Sequence, residues 1–141
     1  MPLLTVKDIV NQAAMEIGTT QAPISIVFQS ADQDIVQMGA LLNAVADEVL
    51  IEEPYKVTLG DGVWVTDTTG NPKIFATQDT DIVLFDYRLA IDGLKYRFLQ
   101  AKGLEFAEQL REYTVRLNKV AARVNAKVLD LDDETDNGRV I

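Results

Sequence analysis

Residues 79–106 read DTDIVLFDYRLAIDGLKYRFLQAKGLEF, and their period sets the fold. After the acidic turn Asp79-Thr80-Asp81 and the apolar Ile82-Val83-Leu84, Tyr87, Ile91, Leu94 and Phe98 recur at helical spacing. Leu89, Ala90 and Gly93 add a second stripe beside them, and Gly103 breaks the pattern. Beyond the glycine, Phe106, Leu110, Tyr113, Leu117, Val120 and Val124 alternate by four and three, with Val128 four further on. That spacing predicts a fourth helix about 35 Å long, at the rise of an α-helix. A single-glycine link between two amphipathic helices predicts an antiparallel hairpin.

Upstream, Thr5-Val6-Lys7-Asp8 has the form of a capping box. Val6, Ile9, Val10, Ala13, Ala14 and Ile17 then line one helical face, and Gly18 stands where a left-handed C-cap is needed, which predicts a first helix over about 5–17. Residues 19–29, with Pro23, read as an extended connection whose Ile24, Ile26 and Phe28 alternate toward the core. Ser30 and Gln33 form a second capping box, followed by Ile35, Met38, Leu42, Val45 and Val49. A second helix is expected over about 31–52, ending before Pro54. From Tyr55 the period becomes two. Tyr55–Leu59, Val63–Thr66 and Lys73–Ala76, separated by Gly60-Asp61-Gly62 and Thr69-Gly70-Asn71-Pro72, predict a small β-meander over about 55–76. The expected fold is mainly α: a four-helix bundle with an inserted β-meander in residues 1–128, and an extended acidic C-terminal tail over 129–141. The tail nevertheless closes on the β-formers Val140 and Ile141.

The 141 residues fit one domain, and the apolar and charged fractions, 48% and 25%, are those of a soluble globular protein. There is no cysteine, which excludes disulfides, thiolate metal sites and cysteine nucleophiles. There is no histidine either, which removes the commonest general base and every imidazole-dependent triad. Thirteen basic against 22 acidic side chains leave a net charge of −9, the wrong sign for gripping phosphate backbones. The composition thus argues against an enzyme, and no cofactor is expected. No signal peptide and no apolar run near the roughly 20 residues of a membrane span are read, so cytoplasmic synthesis without a membrane partner is expected.

Charge is segregated along the chain. Residues 1–87 hold 3 basic and 13 acidic side chains (net −10), residues 88–128 hold 9 and 4 (net +5), and residues 129–141 hold 1 and 5 (net −4). On the fourth helix Arg116, Lys119, Arg123 and Lys127 form a basic stripe beside the apolar seam. Such a stripe is ordinarily a solvated face. Here an acidic surplus elsewhere offers it a partner in a neighbouring copy, so these four are candidate oligomer-interface residues. In the tail, Leu131, Arg139, Val140 and Ile141 are candidate partner-binding residues. Asp47, Glu48, Glu52 and Glu53 read as a solvated helix end before they read as an acid–base pair or cation site. Asp61 and residues 68–71 are turn chemistry, and the acidic tail lacks the glycine and terminal glutamate of an EF-hand. Trp64 reads first as a core residue, with an interface anchor as the alternative.

The segments Asp79–Leu84, Leu89–Phe98 and Ala101–Phe106 resemble head-to-tail adaptor (neck, head-completion) proteins of tailed bacteriophages. Thr5–Gly18 is similar to the first helix of those proteins, and Leu41-Leu42-Asn43 carries their leucine–asparagine pair. The resemblance spans roughly residues 5–128 and rests on helix-packing patterns rather than a chemical signature. It implies a helical bundle with a β insertion, assembled as a ring, usually of 12 copies, beneath the portal protein. Such a ring continues the DNA channel without binding DNA specifically and meets tail or neck proteins below, often through an extended C-terminal segment. The tail here is shorter than in some relatives of short-tailed phages. The expectation is therefore a structural virion protein of the head–tail neck, assembled in the host cytoplasm and not an enzyme. Two alternatives stand beside it: a carboxylate-dependent peptidoglycan hydrolase of the virion, and a stand-alone dimeric helical interaction module.

Overall fold

The computed structural model describes residues 3–18, 26–51, 62–120 and 122. Among them lie four helices, α1 (Val6–Ile17), α2 (Gln33–Ile51), α3 (Tyr87–Ala101) and α4 (residues 107–120). Between α2 and α3 runs a small antiparallel sheet of β1 (Val65–Thr66), β2 (Pro72–Lys73) and β3 (Ile82–Val83), in the order β2-β1-β3. The fold is mainly α with a β insertion, as the periodicity predicts.

Helix α1 forms as its sequence dictates. The Thr5 hydroxyl accepts from the Asp8 amide at 3.2 Å, and Gly18 closes the helix at φ 69° with its N–H on the Ala14 carbonyl. Val6, Ile9, Val10, Ala13 and Ala14 are buried. Helix α2 starts slightly later than expected, because Asp32 rather than Ser30 caps it. The Asp32 carboxylate accepts from the Asp34 amide at 2.9 Å, while the Ser30 hydroxyl accepts from the Asp32 amide one step earlier. A carboxylate at the positive end of a helix is the stronger acceptor.

The connection into α2 is also corrected. Ile26 is exposed and Val27 is buried, so the alternation does not hold there. The Asp79 carboxylate accepts from the Val27 and Phe28 amides at 2.9 and 3.0 Å, and the chain turns there instead of running extended. The turn crosses α2 at Gly39, where a Cβ would come within 3.0 Å of both side chains. Ile24 and Pro23 lie outside the described residues.

The sheet differs from the expected meander in its third strand. Val65 faces Lys73 on one side and Val83 on the other, so Ile82–Val83, read above as a lead-in to the third helix, is a strand. The run Lys73–Ala76 yields only one paired residue beyond Pro72, and Ile74 and Phe75 are exposed. Asn43 on α2 explains the departure: its amide accepts from the Ala76 N–H at 2.8 Å and donates to the Ala76 carbonyl at 3.2 Å. That side chain acts as a surrogate strand and draws the chain off β1. The expected strand Tyr55–Leu59 lies outside the described residues. Trp64 is fully buried against Phe85 and donates its indole N–H to the Ile74 carbonyl at 2.7 Å, which makes it a core residue.

Helix α3 is the centre of the molecule. Asp86 caps it by accepting from the Arg88 and Leu89 amides, and every residue from Leu89 to Tyr96 is buried. Its two stripes merge because α1, α2 and α4 surround it. At its end the Gly103 amide meets the Gln100 carbonyl and the Leu104 amide meets the Leu99 carbonyl, a Schellman closure that turns the chain back. Helix α4 then runs antiparallel to α3: Lys95 lies near Glu112, Gly93 near Tyr113, and Asp92 near Arg116. Among its seam residues Tyr113 and Val120 are buried, Phe106 and Leu117 partly so, and Leu110 faces outward.

Gly93 is the notch that lets three helices meet. A Cβ there would stand 2.7 Å from Val45 and 2.9 Å from the Tyr113 ring. Overpacking of this kind costs about 1–3 kcal/mol, against at most about 1 kcal/mol gained from alanine's helix propensity. Gly93→Ala is therefore expected to lose about 1–2 kcal/mol net in urea unfolding; unchanged stability would mean that the notch is not filled.

Candidate functional site

Two charged clusters among the described residues gather side chains from several elements. The first cluster joins α1, α3 and α4. Glu16 receives the Arg88 guanidinium through two nitrogens and the Lys95 ammonium at 2.9 Å. Asp92, almost wholly buried, accepts from Arg88 at 3.1 Å and from Arg116 Nε at 2.8 Å. Lys95 stands a further 4.0 Å from both Asp92 and Glu112. Three cations thus face three carboxylates, and the group is neutral as a whole. The Arg88 hydrogen bond, followed by Lys95, holds the Glu16 carboxyl down from 4.5 to about 2, in spite of partial burial.

The second cluster is built by Asp79-Thr80-Asp81. One oxygen of the buried Asp81 carboxylate accepts from Lys73 at 2.6 Å and from the Thr77 and Gln78 amides at 2.9 and 3.0 Å. Its carbonyl accepts from the Val6 amide, and the Asp79 carbonyl from the Lys7 amide. An open cleft of about 220 Å³ lies alongside, between Ile26, Phe28 and Gln29 on one wall and Thr77–Thr80 on the other. Asp79 at its base is already engaged by Val27 and Phe28.

Arg116 is not a free member of a basic stripe, because its guanidinium turns inward to Asp92. Lys119 is exposed on α4. Arg123 and Lys127, and the tail residues Leu131, Arg139, Val140 and Ile141, lie outside the described residues, as do Glu52 and Glu53. Asp47 is exposed, and Glu48 accepts from the Tyr96 hydroxyl at 2.7 Å and from Arg97. Burial and the Glu48 bond push the Tyr96 phenol up to about 12, so it stays protonated as a donor. Among the described residues no group of three or more acidic side chains is placed to hold a metal ion. No described helix is long and apolar enough to cross a membrane.

Sequence reasoning missed the Glu16–Arg88–Asp92–Lys95–Arg116 cluster. Its signal was present: Asp92 and Lys95 sit inside LAIDGLKYRF with apolar residues on both flanks, so neither stripe leaves them a solvent face.

Against family models, curated proteins and solved structures alike, the chain finds no match.

The geometry of the two clusters yields two expectations. Glu16 has a folded pKa depressed to about 2, so its contribution to stability is fully present above its ordinary 4.5 and is lost as the pH falls toward 2. Urea midpoints measured from pH 7 down to pH 3 should decline below about pH 5, and Glu16→Gln should flatten that decline. Asp81→Asn keeps an oxygen acceptor for the Thr77 and Gln78 amides and leaves only the part-exposed Lys73 unpaired, so it should cost about 1–2 kcal/mol. Lys73→Met strands the buried carboxylate without its cation and should cost more, about 3 kcal/mol in urea unfolding; equal losses would place the effect elsewhere.

Proposed function

We propose that this protein is a structural head-to-tail adaptor of a tailed phage, a non-enzymatic component of the virion neck. Copies assemble in the host cytoplasm as a ring, of 12 in the form the resemblance implies, beneath the portal protein. The ring extends the DNA channel and joins the head to the tail or neck proteins below.

The observation that carries this reading is the asymmetry of α4. The other three helices bury broad faces, whereas α4 buries one seam and leaves Leu110, Val115 and Lys119 outward, with Arg111 paired to its own Glu108. A helix so thinly covered in one protomer has a face to give to a neighbour, and the acidic first half of the chain has the opposite sign. The segments that carry the resemblance support it from another side: Asp79–Leu84 and Leu89–Phe98 form the connector and central helix of the fold. A ring of 12 such chains carries on the order of a hundred negative charges, which lets DNA slide rather than stick.

The test is assembly on purified portal. Reversing Lys119, Arg123 and Lys127 to glutamate should abolish ring formation while thermal unfolding stays that of the parent. Arg116 is left alone, because its reversal would set a second carboxylate against Asp92. Deleting residues 129–141 should preserve folding and weaken attachment. Full occupancy with the triple variant, or tight salt-sensitive binding of duplex DNA by the isolated protein, would refute the reading.

A further inference from the structure

Helix α4 and helix α3 are held in very different ways. All eight residues Leu89–Tyr96 of α3 are buried, whereas in α4 only Tyr113 and Val120 are. The end of α3 is pinned to α2, since Lys102 bonds Asp34 at 2.5 Å and lies over the Phe98 ring. Immediately after that pin come Gly103, Leu104 and Glu105, all exposed, with Gly103 at φ 71°. Beyond them α4 is self-contained: Glu105 accepts from the Ala107 amide, and Glu108 pairs with Arg111 one turn on. The helix therefore keeps its own cap and its own ion pair when it leaves the seam.

What it leaves behind is a shaped receptor: the Gly93 notch, the Tyr96 ring 5.0 Å from that of Tyr113, and the Asp92 carboxylate. Once α4 is away, the notch and the Tyr96 ring lose the Tyr113 ring that covers them and Asp92 loses its Arg116 partner, so apolar surface is laid open to water at a cost. The occupant that meets all three features is another α4, which brings Tyr113 to the notch and Arg116 to Asp92.

We infer that α4 is an exchangeable arm that opens about residues 103–105 while α1, α2 and α3 stay packed, and that the surface it vacates takes the α4 of a second copy of this chain. Reciprocal exchange restores every contact of the closed protomer, so its cost is only that of association. The inference does not rest on the ring reading, because it concerns copies of this chain alone.

Hydrogen exchange on the full chain tests the opening. Amides of residues 107–120 should exchange at least about ten-fold faster than those of Leu89–Leu99, as a local opening requires. Equal rates in the two helices would overturn the inference. Deleting Gly103–Glu105 tests the receptor, because the shortened link cannot turn α4 back onto its own α3. The variant is expected to be a helical dimer of twice the protomer mass by light scattering, with cooperative unfolding. A folded monomer, or a species without cooperative unfolding, would mean that the vacated surface does not accept a second α4.

Discussion

A single carboxylate oxygen of Asp81, withdrawn from water, takes hydrogen bonds from the Lys73 ammonium and from two successive backbone amides, those of Thr77 and Gln78. Burying that charge alone would cost several kcal/mol, so its three donors must all be in place before the residue can enter the interior. The same residue lends its carbonyl to the first amide of α1 and leads directly into β3. Two residues earlier, Asp79 fixes the turn that precedes α2. The start of two helices and the pairing of two strands are thus settled within three residues. A conformation that displaces β2 or the Thr77–Gln78 loop strips donors from a buried ion, which penalises alternatives more than it rewards the native arrangement.

Around that junction the helices are ordered by what α3 can hide. It is encircled, and the two ionised groups it carries inward, Asp92 and Lys95, are tolerable only because Glu16 from α1, Arg116 from α4 and Arg88 one turn back on α3 itself neutralise them. Polar contacts therefore set the azimuth of α1 and α4 about α3, while the apolar contacts set their distance. The Gly93 notch fixes that distance at its tightest point.

The helices were legible because their signals are local. Thr5 and Gly18 cap α1 as read, the stripe of α2 is the buried one, and the glycine at 103 reverses the chain. What sequence alone did not reveal depends on partners distant along the chain. Ile82–Val83 is a strand because β1 and Thr5 flank it, and Ile74–Phe75 is not one because Asn43, 33 residues away from Ala76, captures the backbone. Arg116 looked like part of a surface stripe because its period is right. Its bond to Asp92 spans 24 residues and turns a candidate contact for another copy into an internal tie. The candidate surface is accordingly narrower than the spacing suggested, with Lys119 as its described basic residue.

The sheet has two edges, and neither offers itself. On the outer side of β2, Pro72 has no N–H to give. On the outer side of β3, Thr5 bridges Ile82 and the Leu4 carbonyl takes the Val83 amide, so that rim is already occupied by the chain's own beginning. Sheets with blunted rims do not template further strands. At the crowding a synthesising cell imposes, these two described rims give a neighbouring strand no free row of donors and acceptors to extend, which guards this sheet against edge-on polymerisation into fibrils.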